Sequence, residues 1–320
     1  MSRYSCRRSA RSVYVGVDTV SGAELHWDLE SSRNLNALAV GPSGSGKTVS
    51  LACLANRLAR RFGFSILAID MKGEYADLLG SFYNLRIRMV NPVVQRLNPC
   101  NTPEQLLTAV RAVFGERAAA RYSYVLRIAC EASEPLDKVA SEYIGYEPLA
   151  RFSECFSGES SVSIGSLFAA PTVLYLGSLL RICPRCVPAM YTFVLESAIS
   201  LDKPRELILI VDEAWSVARY LSPRDLSAYL RLARSANVGV FMATQSLDDA
   251  PEPRVLIENS SLLLLFASDP AFAARLGSYV KVPQDVFEEV YRGLGVGECI
   301  AKIPGVGGYR ICYVDPSPIR

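Results

Sequence analysis

The sequence predicts an α/β fold: a mainly parallel sheet with helices on both faces, a helical insertion and a small N-terminal β segment. Three observations carry that prediction. The runs Leu35–Val40, Phe64–Asp70, Thr172–Leu176, Leu207–Val211, Val238–Ala243 and Leu262–Ala267 are uniformly apolar, as strands buried on both faces are. Helical stretches separate many of them, which is the spacing of parallel units joined by crossover helices. Gly41–Thr48 follows the first run directly and opens a helical period over Thr48–Arg61, so strand, glycine loop and helix stand in that order.

Residues 1–12 form a basic tail with Arg3, Arg7, Arg8 and Arg11, and no apolar run follows, so no signal peptide is expected. Val13–Val17 and Glu24–Leu29 alternate like two strands around a Ser21-Gly22 turn, giving the small β segment over 13–34. The core is expected over 35–100 and 160–320, with Arg86–Val90 as a strand closed by Asn91-Pro92 and Gly305–Val314 as a last β segment. Between the two parts, 101–159 reads as successive amphipathic helices: Pro103–Phe114, Ala118–Ala132 and Pro135–Ile144, capped at Thr102 and Ser133. Ser160–Leu180 is uncharged, but its Ser, Gly and Pro171 read as a loop plus a buried strand rather than a membrane span.

Composition removes several classes of function. The net charge of +2 is not that of a polycation, although 28 of the 34 basic residues are Arg. The single histidine, His26, sits in a strand-like alternation with no nucleophile beside it, so a Ser-His-Asp or Cys-His site has no obvious place. Of nine cysteines only Cys183 and Cys186 have metal or redox spacing, and no second pair completes a zinc site. A surface disulfide or two free thiols is expected there.

Gly41-Pro42-Ser43-Gly44-Ser45-Gly46-Lys47-Thr48 fits the pattern G-x-x-x-x-G-K-[ST]. Glycines let successive backbone N–H groups turn toward phosphates, and the following helix adds its positive end. A nucleotide site over Gly41 to Val49 is therefore expected, with Lys47 on the β- and γ-phosphates and Thr48 on Mg²⁺ of bound ATP. The apolar run Leu207–Val211 ends in Asp212-Glu213, one acid for the metal and one to polarise the attacking water. Asp70 and Glu74 are rival carboxylates for that second role. Val240–Ala243 ends in Thr244-Gln245, and a Gln at that tip can sense the γ-phosphate.

Together with Ile69-Asp70-Met71-Lys72-Gly73-Glu74-Tyr75, Leu97-Asn98-Pro99, Val211-Asp212-Glu213-Ala214-Trp215 and the segment Arg234–Gln245, these residues resemble the HerA/FtsK superfamily of ring-forming, DNA-pumping ATPases. HerA-type and conjugative type IV secretion ATPases are the nearest subgroup. The resemblance implies a RecA-like core and a homo-hexamer that moves DNA through a central pore. It also implies a place in the cytoplasm, either free or at the inner face of a membrane beside a secretion or DNA-transfer complex. Arg234 falls where the family carries an arginine finger, with Arg231 the alternative because the spacing Arg234-Ser-Ala-Asn-Val-Gly239 departs from the family's. Two roles fit the resemblance, DNA translocation and the powering of secretion or pilus assembly. A nucleotide-dependent scaffold, the third class, has no need of Glu213.

Overall fold

The computed structural model describes residues 11–145, 147–157, 161–212, 223–245, 247, 253–267, 276–277 and 284–317. Its main feature is an eleven-stranded sheet in the order β2-β1-β13-β12-β11-β3-β10-β9-β4-β8-β5. Seven of these strands run parallel: β11 (Leu262–Phe266), β3 (Ala37–Val40), β10 (Val238–Thr244), β9 (Leu207–Val211), β4 (Ser65–Asp70), β8 (Thr172–Tyr175) and β5 (Arg88–Val90). The first five of these, β11 through β4, are buried at every residue, as strands covered on both faces must be.

Alternate residues of a strand face opposite sides, and β3 shows what each side requires. Leu38 and Val40 point into the core beneath the helices α3 (Pro103–Phe114) and α8 (Cys186–Ser200). Ala37 and Ala39 point the other way, toward α1 (Lys47–Phe62), whose own Ala52 and Ala55 are buried there. Small residues on both partners let the helix after the glycine loop lie close against its strand. Gly63, left-handed at φ 75°, stops α1 with its N–H on Ala59 O.

The remaining strands extend the same sheet antiparallel: β12 (Glu298–Lys302), β13 (Tyr309–Val314), β1 (Ser12–Asp18) and β2 (Glu24–Asp28). The N-terminal β segment is thus an edge of the main sheet, joined through β13. Its register slips between Tyr14 and Gly16, and a Cβ at Gly16 would stand 2.0 Å from Tyr313 O, so only glycine fits. Buried Arg57 on α1 ties both ends of the chain to the core. Its guanidinium donates to the carbonyls of Tyr14, Val15, Asp315 and Ser317 and lies 4.8 Å from the Tyr14 ring centre.

The insertion forms α3, α4 (Glu116–Ala132), α5 (Leu136–Tyr143) and α6 (Glu147–Ser153). It stacks outward from α8: α3 packs on α8, α4 on α3 and α5 on α4. Phe114, Phe152, Phe156 and Phe193 form a chain of ring contacts 5.0 to 6.0 Å apart that joins it to α8. Ser133 does not start a helix. It ends α4 in a left-handed conformation, φ 55°, and accepts no capping role for α5, which begins after Pro135. Thr102 does stand at the N-terminus of α3, but its hydroxyl makes no capping hydrogen bond.

Among the described residues two disulfides are present, and one was not anticipated: Cys100–Cys130 closes the start of the insertion onto the end of α4. Cys183 and Cys186 are bonded, but they are buried at the start of α8 rather than on the surface. Residues 162–182 form short β7 (Val162–Ser163), a 3₁₀ turn, β8 and α7 (Gly177–Ile182). Among the described residues, no helix is long and apolar enough to cross a membrane.

Candidate nucleotide site

In parallel units the strand C-termini share one edge of the sheet, and the chemistry-bearing residues collect there. The register brings their tips together. Val40 of β3 pairs with Thr244 of β10, Met242 of β10 with Val211 of β9, and Val211 with Ile69 of β4. The glycine loop, Thr244-Gln245, Asp212 and Asp70 therefore emerge side by side. Gly41 N–H donates to Thr244 O at 3.2 Å, which ties the start of the loop to the Gln245 strand.

The loop has the conformation its glycines allow. Gly46 adopts φ 108° immediately before Lys47, the first residue of α1. The first turn of α1 holds no acidic residue and no capping side chain, so its N–H groups and positive end face an anion site. Lys47 is buried, and its ammonium donates to Pro42 O at 2.7 Å across the loop. Ser45 Oγ is buried without a hydrogen-bond partner, a polar atom aimed into the cradle. Thr48 and Val49 are half-buried in the first turn. These features fit a nucleotide's phosphates: backbone donors, one ammonium, a hydroxyl and no acid in the first turn of α1.

Asp212 is buried at the tip of β9, and its carbonyl accepts from the Tyr191 hydroxyl at 2.8 Å, which fixes that turn against α8. With the Thr48 hydroxyl it supplies oxygen donors of the kind Mg²⁺ takes. Gln245 is exposed at the end of β10. Glu213, like Ala214 and Trp215, lies outside the described residues.

Asp70 is committed elsewhere. Its carboxylate accepts from the backbone N–H groups of Lys72, Gly73 and Tyr75 at 2.8 to 2.9 Å and so holds the loop after β4. Glu74 on that loop is exposed. The Tyr75 hydroxyl is wholly buried and without a hydrogen-bond partner; burial, then the charges of Asp212 and Asp70, push its pKa well up. It is a neutral phenol close enough to Asp212 to feel its charge.

Arg234 sits at the other end of the strand. It is exposed near the C-terminus of α9 (Pro223–Ser235), ahead of β10, while Gln245 follows that strand. Arg231 is exposed one turn earlier, with its Nε on Ser227 O at 3.1 Å.

One contact was missed in the sequence. The Gly293-Leu294-Gly295-Val296-Gly297 stretch before β12 lies against the glycine loop. Gly297 N–H donates to Ser45 O at 3.1 Å, and a Cβ on Gly46 would approach Gly297 Cα at 3.3 Å. Three glycines in five residues were the available signal.

This edge defines a P-loop protein with a RecA-like sheet, and relatives narrow the class. The family model "Helicase HerA, central domain" matches residues 37–152. The DNA import protein CedB of Sulfolobus acidocaldarius is 25% identical over 285 residues, covering 78% of this chain and 47% of CedB. The chain thus spans about half the length of that relative. Among solved structures, VirB4 of Thermoanaerobacter pseudethanolicus superposes with a TM-score of 0.73 at 16% identity, over 96% of this chain and 97% of that one. The bacterial conjugative coupling protein TrwB follows with a TM-score of 0.64 at 15% identity, over 97% and 90%. A further TrwB structure, in complex with ADP and Mg²⁺, has a TM-score of 0.61 at 18% identity over 94% and 90%. At those identities the structural likeness speaks for the fold. The chain thus has a segment similar to the HerA central domain, within a P-loop fold shared with VirB4 and TrwB.

Proposed function

We propose that the chain hydrolyses Mg-ATP at the edge formed by β3, β9 and β10 and couples the reaction to movement of DNA, working as a homo-hexameric ring around a central pore. The observation that supports this reading is the register that sets the end of β3, which leads into the glycine loop and Lys47, beside the ends of β10 and β9, which lead into Gln245 and Asp212. The 25% identity to a protein named for DNA import supports the substrate.

Gly41 to Val49 would cradle the phosphates through backbone N–H groups, with Lys47 turning from Pro42 O to the β- and γ-phosphates. Thr48 and Asp212 would hold Mg²⁺, which when bound draws charge from the phosphoryl oxygens. Glu213 would orient the attacking water and accept its proton, and Gln245 would read the state of the γ-phosphate. Asp70 is left to position the loop that buries Tyr75 beside Asp212. Arg234, at the far end of β10, would act on a neighbour's site; a seven-residue strand spans about 23 Å at roughly 3.3 Å per residue. The ring would work in the cytoplasm, at a DNA-transfer complex on the membrane's inner face.

Phosphate release with and without single- or double-stranded DNA tests the reading. Stimulation by DNA is expected, and Glu213→Gln should keep ATP binding while turnover falls about 10²–10⁴-fold. Wild-type turnover in Glu213→Gln would remove the base, and indifference to every DNA would remove the substrate.

A further inference from the structure

The insertion carries an exposed surface of arginines without ion-pair partners among the described residues, beside two half-exposed tyrosines. Helical spacing gathers Arg117, Arg121, Tyr124 and Arg127 on the outer side of α4, all exposed. From Arg117 to Arg127 the stripe runs about 15 Å at 1.5 Å per residue. None of the three arginines forms an ion pair among the described residues, whereas Arg111 nearby is taken by Glu116 and Arg96 by Asp137. Tyr143 of α5 is 50% exposed and meets Tyr124, 48% exposed, edge to face at 5.6 Å. Arg127 stands 5.7 Å from the Tyr124 ring centre. Two exposed carboxylates, Glu131 and Glu142, bound the basic stretch at one end.

Both features are costly to leave idle on a surface. Exposed tyrosines of this size mark recognition sites when they cluster, and three unpaired guanidiniums repel one another unless an anion lies over them. The exposed positions between them are Ala120 and Ser123, so the face offers no aliphatic patch for a protein core. Planar rings flanked by guanidiniums match a polymer that alternates flat apolar groups with phosphates. In a duplex the bases are stacked on each other and closed to such rings; in a single strand they are open.

We infer that the outer face of α4 and α5 docks single-stranded nucleic acid, with Arg117, Arg121 and Arg127 on phosphates and Tyr124 and Tyr143 stacked on bases. The inference rests on the reading of the chain as a DNA motor, and it assigns that motor a strand-binding surface outside the nucleotide edge. Anisotropy of a fluorescein-labelled oligothymidylate on the full chain tests it, with an unlabelled duplex of equal length as competitor. The combined Arg117→Ala, Arg121→Ala, Arg127→Ala variant should weaken binding and flatten the plot of log affinity against log salt by about 0.7 per lost contact. Tyr124→Leu and Tyr143→Leu should each lower single-strand affinity about fivefold or more while duplex affinity and DNA-free ATP turnover stay at wild type.

All these positions are exposed, and unchanged circular dichroism is the expected sign that the variants fold. If the wild type binds oligothymidylate and every variant binds it with the same affinity and slope, the surface assignment fails and the motor reading stands. If only the arginine variant loses affinity, the face is a nonspecific cationic patch and the single-strand assignment is overturned. If the wild type binds no nucleic acid at all, the motor reading falls and takes this inference with it.

Discussion

The nucleotide edge and the helical insertion are built on opposite terms. At the edge, function depends on where the backbone goes: Gly46 at φ 108°, Gly297 packed on the loop, and Asp70 holding three backbone N–H groups of the loop after β4. In the insertion the backbone is ordinary helix, and what distinguishes it is the side chains it shows or hides: a phenylalanine chain inside, arginines and tyrosines outside. A site made of backbone tolerates little change in either direction. A surface made of side chains gives way one contact at a time.

The sharpest break in that comparison comes from Lys47→Ala. The ammonium is the only side-chain cation that the loop itself supplies, and its loss should abolish phosphate release. No single substitution among Arg117, Arg121 and Arg127 should lower DNA-free turnover measurably. Loss of basal turnover in one of those three would show that the insertion is part of the catalytic machinery.

Arg234 comes next, because an inserted guanidinium is worth about 10³–10⁵ in rate. Arg234→Ala and Lys47→Ala subunits should each be inactive alone. Mixed, they should recover part of the activity, since some interfaces then join an intact loop to an intact arginine. Hexamers verified by native mass with no recovery in any mixture would end the trans assignment and direct attention to Arg231.

The same contrast decided what the sequence disclosed. The phosphate loop was legible because few sequences satisfy its backbone, and the buried strands because both of their faces are apolar. The join of β1 to β13 was not legible: strands from the two ends of the described chain pair through register, Gly16 with Val314 and Asp18 with Cys312, and Gly16 shows its purpose only beside Tyr313 O. Asp70 looked like a rival base because sequence cannot show which N–H groups a carboxylate accepts. Ser133 looked like an N-cap because a serine before Pro135 fits either end of a helix; φ 55° decides it. The Cys100–Cys130 bond had no spacing to announce it, since a sequence separation of 30 carries no pattern.

That bond gives the next prediction, smaller than the catalytic ones. Closing a loop of about 30 residues removes enough unfolded-state entropy for about 3–4 kcal/mol, against about 2 kcal/mol for the short loop of Cys183–Cys186. Cys100→Ser with Cys130→Ser should therefore lower the urea midpoint more than Cys183→Ser with Cys186→Ser does. Turnover per folded molecule should hold in the first variant, because that bond secures the insertion and not the strand tips. Equal losses in the two variants would mean that native packing, not loop length, sets the effect.

The smallest effect lies on the seam between the two regions, where α8, which carries the insertion, meets α9, which leads into the Gln245 strand. Glu196 of α8 accepts a hydrogen bond from the Tyr229 hydroxyl of α9. Burial pushes its carboxyl pKa up, and the Tyr229 hydrogen bond pulls back only part of that shift. A carboxyl with a raised folded-state pKa holds its proton more tightly folded than unfolded. Its stabilising contribution is complete below the unfolded value and is lost as pH rises through the folded one. At neutral pH the ionised group is held in partial burial with one phenolic donor. Glu196→Gln keeps an acceptor for Tyr229 and removes the charge, so it should raise the melting temperature at pH 7 relative to its effect at pH 4. Because the group is partly in contact with water, the gain should stay below about 1 kcal/mol, a change of no more than a few degrees in a domain of this size. Thermal melts of both proteins at the two pH values measure the difference directly. An identical shift at pH 4 and pH 7 would mean that the seam responds to side-chain shape rather than charge, and the raised pKa would then have no part in holding α8 to α9.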